Sequence, residues 1–161
     1  MTEEERKKNL KKRLHRYQDL EDERRQIEKE LERVADLMNG PRGSNLDGMP
    51  RSPGIGDPVL GVVSQHMALQ ERYQLQLEKL AAAQASIENM IEGLEPKARQ
   101  LMRCRYIEGM TWEEVCVAIR YSWRQTHNIH AKALDALLAA EDEALGRKMA
   151  EDFLEGVGAK K

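Results

Sequence analysis

A chain of 161 residues with 34% charged residues, 40% hydrophobic residues and a single Phe lacks the bulky apolar material for one large core. Much of its apolar surface must therefore line narrow helical seams. The formal net charge of −2 excludes a general attraction to nucleic acid, so any basic footprint has to be local.

Residues 1–38 contain no Gly or Pro and set Leu10, Tyr17, Leu20, Arg24, Ile27, Leu31, Val34 and Met38 at the seam positions of a heptad. This pattern predicts one long charged amphipathic helix. Its eleven Lys/Arg interleave with eleven Asp/Glu, as on a solvated face. Residues 39–58 then hold five of the 11 glycines and four of the 5 prolines, a composition that predicts a connector without helix or strand. Asp57 and Pro58 restart the chain as an N-cap acceptor and a ring-locked first helical position.

A second long helix is predicted over residues 59–95. Val59, Val63, His66, Gln70, Tyr73, Leu77, Leu80, Gln84, Ile87, Ile91 and Leu94 alternate steps of four and three, the 3.5-residue repeat of a packing seam. His66 reads as a polar register device on that seam. The two long helices either fold back as a hairpin or pair between chains as a homo-oligomer, and the pattern leaves both open.

Pro96 opens a further helix whose buried side is Leu101, Met102, Cys104 and Tyr106, and Gly109 closes it at a position suited to a left-handed backbone. Two capping boxes follow, Thr111-Trp112-Glu113-Glu114 and Ser122-Trp123-Arg124-Gln125. The first starts a helix of about two turns with Val115, Ala118 and Ile119 on its apolar face. The second starts a helix that turns Thr126, Ile129, Ala133, Leu134 and Leu137 inward. Two short helices joined by a tight turn predict a helix-turn-helix over residues 96–138. Cys104 and Cys116 lack a second pair to complete a zinc framework and read as reduced packing residues. Residues 139–161 form an acidic tail, helical or disordered, that extends the last helix to cover the module or contact another protein.

The motif set Leu94-x-Pro96, Leu101-Met102-Arg103-x-Arg105-Tyr106, Thr111-x-Glu113-Glu114-Val115 and Ile129-x-Ala131-Lys132-Ala133-Leu134-x-x-Leu137 resembles region 4 of bacterial sigma factors, which binds the −35 promoter element. The likeness covers about 44 of the 161 residues. A longer likeness takes in the charged helix, the connector, the second helix and Arg105 to Gly109, Tyr121, Ser122, Arg124, Gln125, Ile129 and His130. It resembles RinA-type phage and prophage regulators of late genes. Where sigma factors carry a small or flexible residue at the turn, this chain has Arg120 followed by Tyr121.

The fold expected is all-α: long N-terminal helices followed by a C-terminal helical bundle with a sigma region 4-like helix-turn-helix. The function expected is sequence-specific binding of double-stranded promoter DNA as a transcription regulator in a bacterial cytoplasm, with RNA polymerase as a further partner. Residues 96–137 carry seven Lys/Arg against four Asp/Glu, so the module is basic although the chain is not. The resemblance implies phosphate clamps at Arg103 and Arg105. Thr111 offers a backbone contact at a helix start. Arg124, Gln125, His127, Asn128 and Ala131 face away from the inward set; Arg124 suits guanine, and Gln125 or Asn128 suits adenine. Trp123 either touches DNA or packs on Trp112, and Lys132 joins the DNA-contacting set.

His127 and His130 lack a third ligand, so no metal is expected. No cofactor and no catalytic constellation is expected either, and the protein reads as a non-enzyme. Two other functions fit parts of the pattern: a small terminase-like DNA-packaging factor, and a protein-binding use of the sigma-like domain. The module is expected to fold without the first helix, because the connector should transmit little structure.

Overall fold

The computed structural model of the chain describes residues 1–39 and 58–159. It is all-α. Among the described residues there are five helices and no strand: α1 (Glu3–Asn39), α2 (Pro58–Ile91), α3 (Pro96–Met102) continued by a π turn over Arg103–Ile107, α4 (Trp112–Ile119) and α5 (Trp123–Gly158). None of these helices is long and apolar enough to cross a membrane. The connector expected over residues 39–58 lies outside the described residues, except that Asn39 closes α1 and Pro58 opens α2. The N-cap expected at Asp57 lies outside them as well.

Local chemistry accounts for most helix ends. Thr2 and Glu5 form a capping box at the start of α1: the Glu5 N–H donates to the Thr2 hydroxyl at 3.3 Å and the Thr2 N–H donates to the Glu5 carboxylate at 2.9 Å. Glu3, Glu4 and Glu5 in the same turn favour the positive end of the helix dipole. Pro58 and Pro96 open α2 and α3, where a missing N–H costs nothing.

The described residues divide into two compact units. One unit is residues 19–82, a pair of helical segments from α1 and α2. The segments run antiparallel: the Gln76 amide donates to the Leu20 carbonyl at 2.8 Å, while Arg24 donates to the Tyr73 hydroxyl at 3.3 Å. Leu20, Ile27 and Val34 of α1 are buried with Leu69 and Leu80 of α2. The seam of α2 differs from the expected one at Val59, which is exposed, and at three positions along its middle. Leu69 and Gln76 are buried where Gln70 and Leu77 were expected, and half-buried Ala83 replaces Gln84. Steps of four and three satisfy a 3.5-residue period in either order, so the period alone does not choose between them. Gln76 is tolerated on the seam because its amide also reaches Glu23 at 3.2 Å, leaving no unpaired polar group inside.

The other unit is residues 1–18 together with 83–161. Its core joins Leu10 and Leu14 of α1, Ile87 and Ile91 of α2, Leu101, Met102, Cys104 and Tyr106 of α3 and its π turn, Val115 and Ile119 of α4, and Ala133, Leu134, Leu137 and Leu138 of α5. Leu10 and Leu14 are completely buried there. Ion pairs from Arg6 to Asp142, Lys7 to Asp135 and Arg13 to Glu141 lie along α1 and α5, but exposed pairs of this kind add little to stability.

The start of the first helix is thus part of the module's core, a grouping absent from the sequence reading. The burial of Leu10 and Leu14 in that core runs against the expectation that the module folds without that helix. Removing residues 1–18 would expose the apolar surface those leucines cover. Leu14→Ala should destabilise this unit by about 2–5 kcal/mol, read as a shift in the denaturant midpoint. An unchanged midpoint would show that the start of α1 is only loosely docked.

Candidate nucleic-acid interface

The candidate interface is assembled by two helix junctions. At the first, the π turn places the Glu108 N–H on the Arg103 carbonyl, five residues back, at 2.9 Å. Gly109 follows with φ +69°, a left-handed backbone that glycine adopts without a Cβ penalty. The Gln18 side chain approaches this glycine so closely that an added Cβ would lie 2.7 Å from its Oε1. The same amide donates to the carbonyls of Tyr106 and Ile107 at 3.0 and 2.8 Å, satisfying acceptors at the end of the helix.

Both capping boxes expected from the sequence are present. The Thr111 hydroxyl accepts the Glu114 N–H at 3.3 Å, and the Thr111 N–H donates to the Glu114 carboxylate at 3.0 Å. The Ser122 hydroxyl accepts the Gln125 N–H at 3.2 Å, and the Ser122 N–H donates to Gln125 Oε1 at 3.1 Å. Between them lies the second junction. Arg120 takes a left-handed conformation, φ 61° and ψ 41°, and the Tyr121 N–H reaches back to the Cys116 carbonyl at 3.2 Å. This is a helix closure of the kind normally built on glycine. Lys97 of α3 completes it: its ammonium donates to the Ile119 carbonyl at 2.9 Å and lies 5.2 Å from the Tyr121 ring centre. A cation at the negative end of α4 also matches the helix dipole.

The residues expected to contact DNA fall into two groups. Arg124, Gln125, Asn128 and Lys132 are exposed on α5, along with Ala131. Arg124, Asn128 and Lys132 recur every four residues and make one ridge. Arg120, also exposed, stands at the turn preceding it. Trp123 is half exposed.

The others already have partners. Arg105 donates to the Met110 carbonyl at 2.9 Å and lies 4.7 Å from the Trp112 ring centre, so it ties down the loop after the π turn. The Thr111 N–H is held by Glu114. Arg103 is half exposed but bound by Glu88 through Nε at 3.0 Å and Nη2 at 2.7 Å. His127 sits between two indoles, 4.4 Å from Trp112 and 4.5 Å from Trp123, so Trp123 packs on His127 and not directly on Trp112. On α4, Ala118 is exposed rather than part of the buried face, which is Val115 and Ile119.

His130 belongs to neither group. It is buried, shares a 2.7 Å hydrogen bond with the Tyr106 hydroxyl and meets Trp112 edge to face at 4.8 Å. Burial, seconded by the nearby positive charges of Lys11, His127, Arg105 and His15, pushes its pKa down to about 4. Burial also raises the Tyr106 phenol to about 12. Lys97, Gln18 and His130 all matter to this geometry, and none was singled out in the sequence as a structural residue, whereas Arg120 was noted there only as a departure at the turn. Lys97 and Gln18 act on backbone atoms far along the chain, which no local pattern reports.

Comparison with protein-family models, with curated proteins and with solved structures returned no match.

Two outcomes follow from this geometry. A histidine held neutral in the folded state but protonating near 6.5 when unfolded gives stability that is complete above pH 6.5 and is lost as pH falls toward 4. The loss should reach roughly 3 kcal/mol, and His130→Gln should flatten thermal stability over that window. A wild-type curve that is already flat there would remove His130 from the core network. Lys97→Met keeps the stem but removes the cap, and denaturant unfolding should report a cost of about 1–2 kcal/mol.

Proposed function

We propose that the chain is a sequence-specific DNA-binding transcription regulator of phage or prophage type. In this reading α4 and α5 are the two helices of a sigma region 4-like helix-turn-helix, and the start of α5 enters the major groove. The observation that carries the proposal is the ridge of Arg124, Asn128 and Lys132 with Arg120 beside it. Among the described residues these three cations form no ion pair, and they stand exposed together at the start of one helix. Unpaired cations displace counterions from phosphate without first giving up a protein partner.

The roles follow from what each side chain has free. Arg124 presents a fork for guanine and Asn128 an amide for adenine. Gln125 has its amide oxygen committed to Ser122, so its use on a base is confined to the nitrogen. Arg120 and Lys132 hold phosphate. Arg103 reaches phosphate only by releasing Glu88. Arg105, Thr111, Trp123 and His127 position the two helices. RNA polymerase is a further partner in this proposal, by analogy with sigma region 4, and the activity is binding rather than catalysis.

Selecting bound genomic fragments and then measuring affinity at two salt concentrations tests the reading. Arg124→Ala should lower affinity for the preferred site by about 1–3 kcal/mol and change random DNA much less. Lys132→Ala should weaken both alike and reduce the salt slope by roughly one unit. If both variants weaken specific and random binding in the same proportion, α5 is not the reading helix. If the wild-type chain shows no salt-dependent binding, the DNA assignment itself falls.

A further inference from the structure

Trp123, the first residue of α5, leaves 52% of its surface exposed. Its ring is nevertheless held in place. It lies 4.5 Å from the His127 ring one helical turn on, and His127 lies 4.4 Å from Trp112 of α4, so the three rings form a tilted stack. Trp112 in turn packs under the Arg105 guanidinium at 4.7 Å and meets the buried His130 edge to face at 4.8 Å. The stack therefore runs outward from the core. Its outer end is an apolar surface whose position is set before any partner arrives.

The neighbours of that indole indicate what it meets. Arg124 follows it directly, about 100° further round the helix, and Asn128 and Lys132 continue the exposed ridge. The ring thus borders the ridge at the end of α5 that enters the major groove in the DNA-binding reading, on which this inference rests. Base edges in that groove present hydrogen-bond donors and acceptors, which suit Arg124 and Asn128, and one apolar group, the 5-methyl of thymine. The carbon face of an indole makes no ordinary hydrogen bond. Of the groups in the groove it matches the methyl.

We propose that Trp123, beyond its place in the stack, is a specificity-determining residue that reads a thymine through its 5-methyl group, close to the guanine met by Arg124. His127 and Trp112 are positioning residues for this contact. They hold the ring, so that little side-chain freedom is lost when the methyl is covered.

The test uses the full chain and the preferred site obtained by selection, with each thymine replaced in turn by deoxyuridine. That change removes one methyl and leaves every hydrogen-bonding group of the base in place. At one thymine the wild-type affinity should fall by about fourfold, the worth of burying one methyl-sized group. Trp123→Ala should bind thymine and deoxyuridine alike at that position while keeping the guanine preference that depends on Arg124. Trp123→Phe, which keeps an apolar ring, should retain part of the thymine preference. If Trp123 only packs, or only donates its indole N–H to phosphate, Trp123→Ala lowers affinity for both sites equally and leaves their ratio unchanged. That result would overturn the inference, as would a preferred site with no thymine near its guanine, or a wild-type chain indifferent to deoxyuridine at every thymine. In each of these cases Arg124→Ala still reports whether α5 reads bases, so the DNA-binding reading survives the loss of this one. A chain without salt-dependent binding to any DNA would remove both.

Discussion

Among the described residues Tyr106 is the largest fully buried side chain, and a phenol in that position needs a partner for its hydroxyl. His130 of α5 supplies one at 2.7 Å, while the His15 ring of α1 packs against the phenol edge at a centroid distance of 5.1 Å. The Tyr106 carbonyl meanwhile accepts the Gln18 amide. One residue of the π turn thus ties three separated stretches of chain into one core. The depressed His130 pKa reflects the same burial that fixes α5 against the π turn. The contact helps fix which side of α5 faces the core.

The parts of this arrangement that were legible in the sequence are those decided within a few residues. The two capping boxes, the glycine at position 109 and the proline opening α3 each act on neighbouring backbone atoms, so spacing alone exposes them. The outward set on α5 followed from its inward set by helical periodicity. What sequence did not reveal was decided at long range. Leu14 lies only four residues beyond Leu10 on α1, yet nothing local says that it packs beneath a module starting some 80 residues later. His130 offered a metal reading only because the tyrosine that satisfies it is 24 positions away. The seam of α2 was misjudged for a related reason: a buried Gln76 is acceptable only once the Leu20 carbonyl and Glu23 are known to face it.

Charge is sorted in the same spirit. A net charge of −2 gives no reason to expect a polyanion partner, and most arginines and lysines with defined partners spend their charge on carboxylates or backbone carbonyls. Pairing of this kind lowers the field a distant phosphate would feel. The clustering of exposed cations at the start of α5 is therefore more informative than the overall count. They are close together, they occupy one ridge, and the helix that bears them is anchored by Thr126, Ala133 and Leu134 on its opposite side. A helix anchored in this way has little backbone freedom left to lose on docking.

Arg120 carries a backbone strain beside that ridge. A left-handed conformation costs a residue with a Cβ roughly 1–2 kcal/mol, and glycine would close α4 without that strain. The closure survives because its surroundings over-determine it: Tyr121 is tied back to Cys116, Lys97 caps the Ile119 carbonyl, and Ser122 immediately starts the next helix. Strained residues held this way concentrate where a side chain is needed at a fixed place. What arginine supplies at position 120, and glycine would not, is an exposed cation at the turn leading into Arg124. The backbone strain is thus held by α3, whose Lys97 stabilises the turn from inside while Arg120 stands exposed outside.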